Sequence, residues 1–380
     1  MLLSASCIVQ LYRGCNVLKI NFNNPIISED MQEIYARLPE SELLKNSSIY
    51  ITGASGMLAS YMTSYLIWLN EKYDYGIQIY AGIRKKEKAL ARFGHYVSKD
   101  YFHCINSDVI DPLSQSVNNI FFNYIIHAAS FASPQYYGCK PVETILPNVI
   151  GTYNLLEYSK EHPVKGFLFF SSESTYGKVD TDQSTGIIES NIGVLNFLDP
   201  GSKYGESKRT GEMICHSYFC EYNIPTVSGR ISHTYGPTMN VKGDSRVFAE
   251  FVNNVLESRN IEMKSDGSAV RQFAYITDTV TGLYKMLLKG TRGEAYNVGN
   301  DHEVHSILEL AEMMTSLRPE KGLKVIRVER KDDGYKTSNG HNTTFISTKK
   351  LENLGWNANH TTYDGFDRTI RAIEWDQEHG

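Results

Sequence analysis

Short runs of β-branched and aromatic residues alternate along most of the chain with stretches whose apolar positions recur every three or four residues. Ser48–Thr52, Ile77–Ile83, Phe102–Asn106, Tyr124–His127, Phe167–Ser171 and Thr226–Ile231 read as strands, and Met57–Leu69, Ile145–His162 and Tyr204–Tyr222 as helices between them. The strands are almost continuously apolar, which requires cover on both faces, so the pattern predicts an α/β, doubly wound parallel sheet flanked by helices. Beyond Gly236 the alternation loosens into loops with helices at Arg246–Ser258, Asp278–Lys289, Ser306–Ser316 and Tyr363–Trp375. These residues are expected to form a smaller cap over the carboxyl ends of the strands, where open α/β sheets bind ligands. The expected division is an extension over 1–45, the sheet domain over 46–235, and a cap over 236–380 that returns strand and helix to the sheet.

Composition narrows the function classes. Of 380 residues 41% are hydrophobic and 21% charged, enough apolar material for a large core. Lys and Arg number 38 against 43 Asp and Glu, a net charge of −5 with no long block of one sign, so neither nucleic acid nor a membrane is an expected partner. The six cysteines are scattered, without a CxxC pair, which suits a reducing cytoplasm and free thiols. His302-Glu303-Val304-His305 has the wrong spacing for two metal ligands on one helical face, and no metal is expected.

Between the first strand and its helix lies Thr52-Gly53-Ala54-Ser55-Gly56-Met57-Leu58-Ala59. Glycines there let the backbone approach a pyrophosphate at a helix N-terminus, and Ala59 allows helix and strand to pack closely. Gly53, Ser55, Gly56, Met57 and Leu58 are therefore candidate NAD(P) contacts. The second strand ends in Ile83-Arg84-Lys85-Lys86, where an acid would hold the ribose of NAD. A basic Arg84 favours NADP over NAD.

With Tyr204-Gly205-Glu206-Ser207-Lys208, these residues resemble the extended short-chain dehydrogenase/reductase family, particularly its nucleotide-sugar epimerases, dehydratases and decarboxylases. The resemblance runs from about Ser48 to Trp375 and implies a Rossmann fold. It also implies cofactor contacts from Asp108, Val109, Ala128, Ala129 and Ser130, and a catalytic hydroxyl at Ser172 in Ser171-Ser172-Glu173-Ser174-Thr175-Tyr176-Gly177. A tyrosine hydroxyl, with a reference pKa of about 10, is a poor base until its phenolate is stabilised. Lys208, one helical turn after Tyr204, supplies a positive charge on the same face and can reach the nicotinamide ribose.

Family members oxidise C4 of a nucleotide-linked hexose and then diverge. A 4-epimerase needs no further acid or base, a 4,6-dehydratase needs two carboxyl groups, and a decarboxylase needs a β-keto carboxylate. Ser172-Glu173-Ser174 fits none of their usual triplets, although Glu173 is placed to move a proton near C5 and C6. Tyr235-Gly236-Pro237, Arg246 and Arg271 most resemble UDP-glucuronate decarboxylases, in which the corresponding arginines grip diphosphate and ribose. Ser174 and His233 complete the expected substrate contacts, His233 standing where the family usually carries Asn. The resemblance further implies a homodimer through the helices that begin at Ile145 and Tyr204. A dinucleotide-sensing regulatory protein is the alternative of another class, and the retained Tyr204 and Lys208 argue against it.

Overall fold

The structure is a computed structural model describing residues 18–179, 185–199, 201–328 and 345–379. Its strands are β1 (Ser48–Thr52), β2 (Gln78–Ile83), β3 (Phe102–Asn106), β4 (Tyr124–His127), β5 (Gly166–Ser172), β6 (Thr226–Ile231), β7 (His233–Tyr235), β8 (Ile261–Met263), β9 (Val270–Tyr275), β10 (Ala295–Val298), β11 (Val304–Ser306) and β12 (Val325–Arg327). Seven of them form one sheet in the order β10-β6-β5-β4-β1-β2-β3. All six pairings in it are parallel. This is the Rossmann arrangement the apolar strands called for, with β5 buried along its whole length. The sequence pattern missed β10, because its four residues sit among cap motifs. A second sheet runs β11-β9-β7, and β8 pairs with β12.

The main helices are α1 (Pro25–Arg37), α2 (Met57–Tyr73), α3 (Pro141–Leu146), α4 (Thr152–Glu161), α5 (Ser202–Tyr222), α6 (Val247–Leu256), α7 (Ile276–Lys289), α8 (Ile307–Ser316) and α9 (Thr362–His379). α1 corrects the reading of residues 18–45 as a loosely patterned extension. Asn24 caps it by accepting from the backbone N–H groups of Ile26 and Ile27, Pro25 opens its first turn, and Ile26, Ile27, Met31 and Ile34 are buried. The expected helix over Ile145–His162 is also different: α3 and α4 are joined by a wide turn over Pro147–Gly151, where Pro147 supplies no N–H to the ladder. On these helices Leu155, Leu156 and Tyr158 are buried within the chain, whereas Tyr153 and Met213 are exposed.

The carboxyl end of the sheet is braced from beneath. His127, the last residue of β4, is fully buried, and burial together with the Lys208 charge pushes its imidazole down to about 3, so it is neutral. Thr52 Oγ1 accepts from the backbone N–H groups of Ala128 and Ala129 at 3.1 and 3.2 Å, so its own hydroxyl donates to His127 Nδ1 at 2.8 Å. That leaves His127 Nε2–H to donate to Pro147 O at 3.0 Å. Three elements, β1, β4 and the Pro147 turn, are thereby locked beside the glycine loop.

Candidate active site

Gly53 leaves β1 with φ +65°, and a Cβ there would lie 2.9 Å from Ala129 Cα, so only glycine fits. α2 starts three residues later with Gly56 as its N-cap and no side-chain cap, leaving first-turn N–H groups without a side-chain acceptor. Gly53, Gly56, Met57, Leu58, Ala128 and Ser130 line one side of a cavity of about 380 Å³. Ser130 Oγ is buried there without a hydrogen-bond partner. A close-approach cradle, bare helix-start N–H groups and an unpartnered hydroxyl fit a dinucleotide phosphate and ribose.

The facing side of the cavity carries Ser172, Glu173, Ser174, Tyr204, Lys208, His233 and Arg246. Their convergence follows from the topology. β5 ends at Ser172, paired with Ile231 at the end of β6. α5 then brings Tyr204 and Lys208 over the same strand ends, close to β5 because Gly211 meets Phe169 and Asn148 O with no side chain between. Asn148 Nδ2 donates to Ser207 Oγ at 2.9 Å and sets the helix rotation.

Burial pushes the Tyr204 phenol up to about 12; a hydrogen bond with Ser172 and the Arg246 charge oppose that, and the Glu173 charge adds to it. Lys208 is buried as well, which drives its ammonium down to about 7 against the pull of Glu212. Lys208 Nζ donates to Phe170 O at 2.5 Å and lies 5.7 Å from the centre of the Tyr204 ring.

His233 Nδ1 stands 2.7 Å from Glu173 Oε1. The pair lacks the alignment of a hydrogen bond, and both His233 Nδ1 and Glu173 Oε2 are buried without a partner. Arg246 holds Asp244 through Nε at 2.8 Å and lies 4.8 Å above the Phe248 ring.

Other expected residues lie elsewhere. Arg84 pairs with Asp108 at 3.5 Å and sits 5.1 Å from the Phe131 ring centre, so these two residues meet each other away from the cavity wall. Val109 packs on Gly151, and Ala129 on Gly53. Ser55 and Arg271 are absent from the cavity lining, and Arg271 donates to Val270 O at 2.7 Å. The sequence reading missed Tyr137, which lines the cavity and stacks on Tyr204 with centroids 4.9 Å apart and planes 9° from parallel. Its segment had no periodic pattern; the aromatic pair Tyr136-Tyr137 shortly after Ser130 was the available signal.

Comparison with known proteins agrees with this architecture. A model of the NAD dependent epimerase/dehydratase family matches residues 49–299. UDP-glucuronic acid decarboxylase 6 of Arabidopsis thaliana is 31% identical over 312 residues, 82% of this chain and 84% of that protein. UDP-glucuronic acid decarboxylase 1 of Danio rerio is 29% identical over 331 residues, 87% and 73% respectively. Among solved structures, UDP-glucuronic acid 4-epimerase from Bacillus cereus, in complex with UDP-glucuronic acid and NAD, superposes with a TM-score of 0.71 at 22% identity, covering 86% of this chain and 99% of that one. A dTDP-glucose 4,6-dehydratase from Bacillus anthracis in complex with NAD gives 0.70 at 21% identity, covering 88% and 98%.

Proposed function

From the premise that this chain belongs to the NAD dependent epimerase/dehydratase family and is a nucleotide-sugar enzyme, we propose that it oxidises C4 of UDP-glucuronic acid transiently and releases the C5 carboxyl group as carbon dioxide. The observation that carries the reading is the meeting of Ser172, Tyr204 and Lys208 across one cavity from the glycine cradle. Its acid substrate is taken from the decarboxylases the chain resembles.

A dinucleotide held by the Gly53–Gly56 cradle and Ser130 would supply the hydride acceptor and donor for C4. Tyr204, as phenolate, takes the C4 hydroxyl proton; Ser172 holds that hydroxyl by a hydrogen bond; Lys208 stabilises the phenolate once its amine turns from Phe170 O. Ser174 and Arg246 face the nucleotide end, the forked guanidinium of Arg246 taking diphosphate oxygens in exchange for Asp244. Arg84 receives the extra phosphate of NADP, and its partner Asp108 faces the adenosine. Ser55 and Arg271 contribute at the rims. The protein works in the cytoplasm as a homodimer, through the exposed Tyr153 and Met213 of α4 and α5.

Incubating the full chain with UDP-glucuronic acid and each dinucleotide, then analysing products by mass spectrometry, tests the reaction. A UDP-pentose with carbon dioxide is expected. A UDP-hexuronic acid epimer, or turnover only of neutral nucleotide hexoses, overturns it. Light scattering that returns the monomer mass at micromolar concentration overturns the dimer.

A further inference from the structure

We propose that His233, whose Nδ1 lies 2.7 Å from Glu173 Oε1, delivers the proton that replaces the departing carboxyl group at C5. The role rests on the decarboxylase reading of the same cavity and adds a proton carrier to it.

Loss of carbon dioxide from a 4-keto sugar leaves a carbanion equivalent that must be protonated before C4 is reduced, and the cavity offers few donors. Tyr204 holds the proton taken from the C4 hydroxyl and must return it to the C4 oxygen. Lys208 is held by Phe170 O and is then committed to the Tyr204 phenolate. A guanidinium such as that of Arg246 is no proton donor. His233 brings to the facing wall an imidazole, a ring whose nitrogens can both give and accept a proton.

Its setting favours the task. β6 ends at Ile231, the chain breaks at Ser232, and His233 opens β7, so the imidazole arrives at the cavity from a rigid strand. Phe248 and Phe273 stand edge-on to it at 6.2 and 6.1 Å between centroids, giving it apolar walls. On its polar side stands Glu173, at 2.7 Å. The unpartnered Glu173 Oε2 and His233 Nδ1 mark a carboxylate–imidazole pair with unused hydrogen-bonding capacity beside Ser172. A carboxylate at that distance puts a negative charge and a free acceptor oxygen beside the ring.

The step balances. After C4 oxidation the C5–carboxylate bond breaks, its electron pair enters the C4–C5 enolate, and carbon dioxide leaves. The enolate pair then forms the new C5–H bond with the proton of the His233 imidazolium, leaving neutral imidazole beside the Glu173 carboxylate. Solvent restores the proton, so each turnover consumes one proton and releases one carbon dioxide.

The test uses the full chain with NAD(P) and UDP-glucuronic acid in deuterium oxide. It follows carbon dioxide, reduced nicotinamide absorbance, the deuterium content and configuration at C5 of the pentose, and calorimetric affinity for UDP-glucuronic acid. The unmutated protein is expected to place one deuterium at C5 in a single configuration. His233→Gln keeps a polar side chain of similar reach and removes the proton-carrying ring. It is expected to form pentose at least ~100-fold more slowly and to accumulate reduced nicotinamide with UDP-glucuronic acid at saturation. Added imidazole should restore part of the rate in His233→Gly, which a merely structural role would not allow. Pentose formation by His233→Gln at the unmutated rate and with the same C5 configuration overturns the role, as does a rate loss matched by lost affinity without reduced nicotinamide. No carbon dioxide from the unmutated protein overturns the decarboxylase reading itself, and this role with it.

Discussion

Where α1, α7 and α9 meet, each buried charge has its answer; where β5, β6 and α5 meet, several polar atoms have none. In the first region Asp30 is fully buried yet accepts from Arg368 Nη2 and Tyr275 Oη at 2.6 Å each, and from Tyr61. Asp278 accepts from Arg37 at 2.7 Å and from the backbone N–H groups of Asn359 and His360 at 2.9 and 3.1 Å. Glu33 and Asp364 take the two ring nitrogens of His360 at 2.7 and 2.5 Å. In the second region Ser130 Oγ, Glu173 Oε2, Ser232 Oγ and His233 Nδ1 are all buried without hydrogen-bond partners, and all four residues line one cavity. A buried polar atom left alone costs on the order of 1–3 kcal/mol. The first region leaves only the Thr277 and Thr362 hydroxyls unpartnered among its described residues, whereas the second leaves a carboxylate oxygen and an imidazole nitrogen open beside a cavity.

Breaking the satisfied region should have the largest effect. Arg368→Met leaves Asp30 as an uncompensated buried charge and should cost about 3–5 kcal/mol of stability, seen as a large drop in Tm, while the surviving folded fraction retains its dinucleotide affinity. Unchanged Tm would show that Asp30 is carried by its tyrosines. In the open region Tyr204→Phe should do the reverse. Turnover falls by ~100-fold or more, about 2.7 kcal/mol in barrier, with Tm held, because only the proton-accepting oxygen is removed. Turnover close to that of the unmutated protein would exclude Tyr204 as the base.

Arg84 probes the edge of the open region. Titration with both dinucleotides should show tighter NADP binding, and Arg84→Ala should remove roughly tenfold of it, about 1.4 kcal/mol, without touching NAD. A preference for NAD in the unmutated protein would reduce Arg84 to a partner for Asp108. The shallowest effect is on pH dependence. Glu33, drawn down to about 2 although burial acts the other way, contributes stability that is complete above its ordinary 4.5 and fades as pH falls toward 2. His360, raised to about 9 despite its burial, contributes stability that is complete below its ordinary 6.5 and fades as pH rises through 9. Both contribute fully only between about pH 4.5 and 6.5. Melting curves across pH should decline on the alkaline side, and His360→Gln should flatten that limb; a Tm rising from neutrality to pH 9 would contradict it.

Six of the seven strands in the main sheet were legible because each is a short run with β-branched or aromatic residues set between helical stretches, the pattern of a parallel sheet covered on both faces. The glycine cradle and the Tyr204–Lys208 spacing were legible because local backbone and helix geometry set them. What escaped the sequence depends on distant partners. α1 is polar on one face and short, and its burial is decided by α7 and α9. The meeting of His233 with Glu173 is made by two strand ends that are far apart in the chain. Arg84 and Asp108 were each read toward the cofactor, yet nothing local indicates that they pair with one another.

The bonds from Arg368 to Asp30 and from Asn24 to Ala372 O close over 338 and 348 residues. At a synthesis rate of roughly 5–20 residues per second, α1 leaves the ribosome on the order of 20–70 seconds before α9 can meet it. Through that interval Ile26, Ile27, Met31 and Ile34, all buried in the finished molecule, lack part of their cover. That apolar face is covered only when α9 seats on α1, so the two ends of the described fold close together and late.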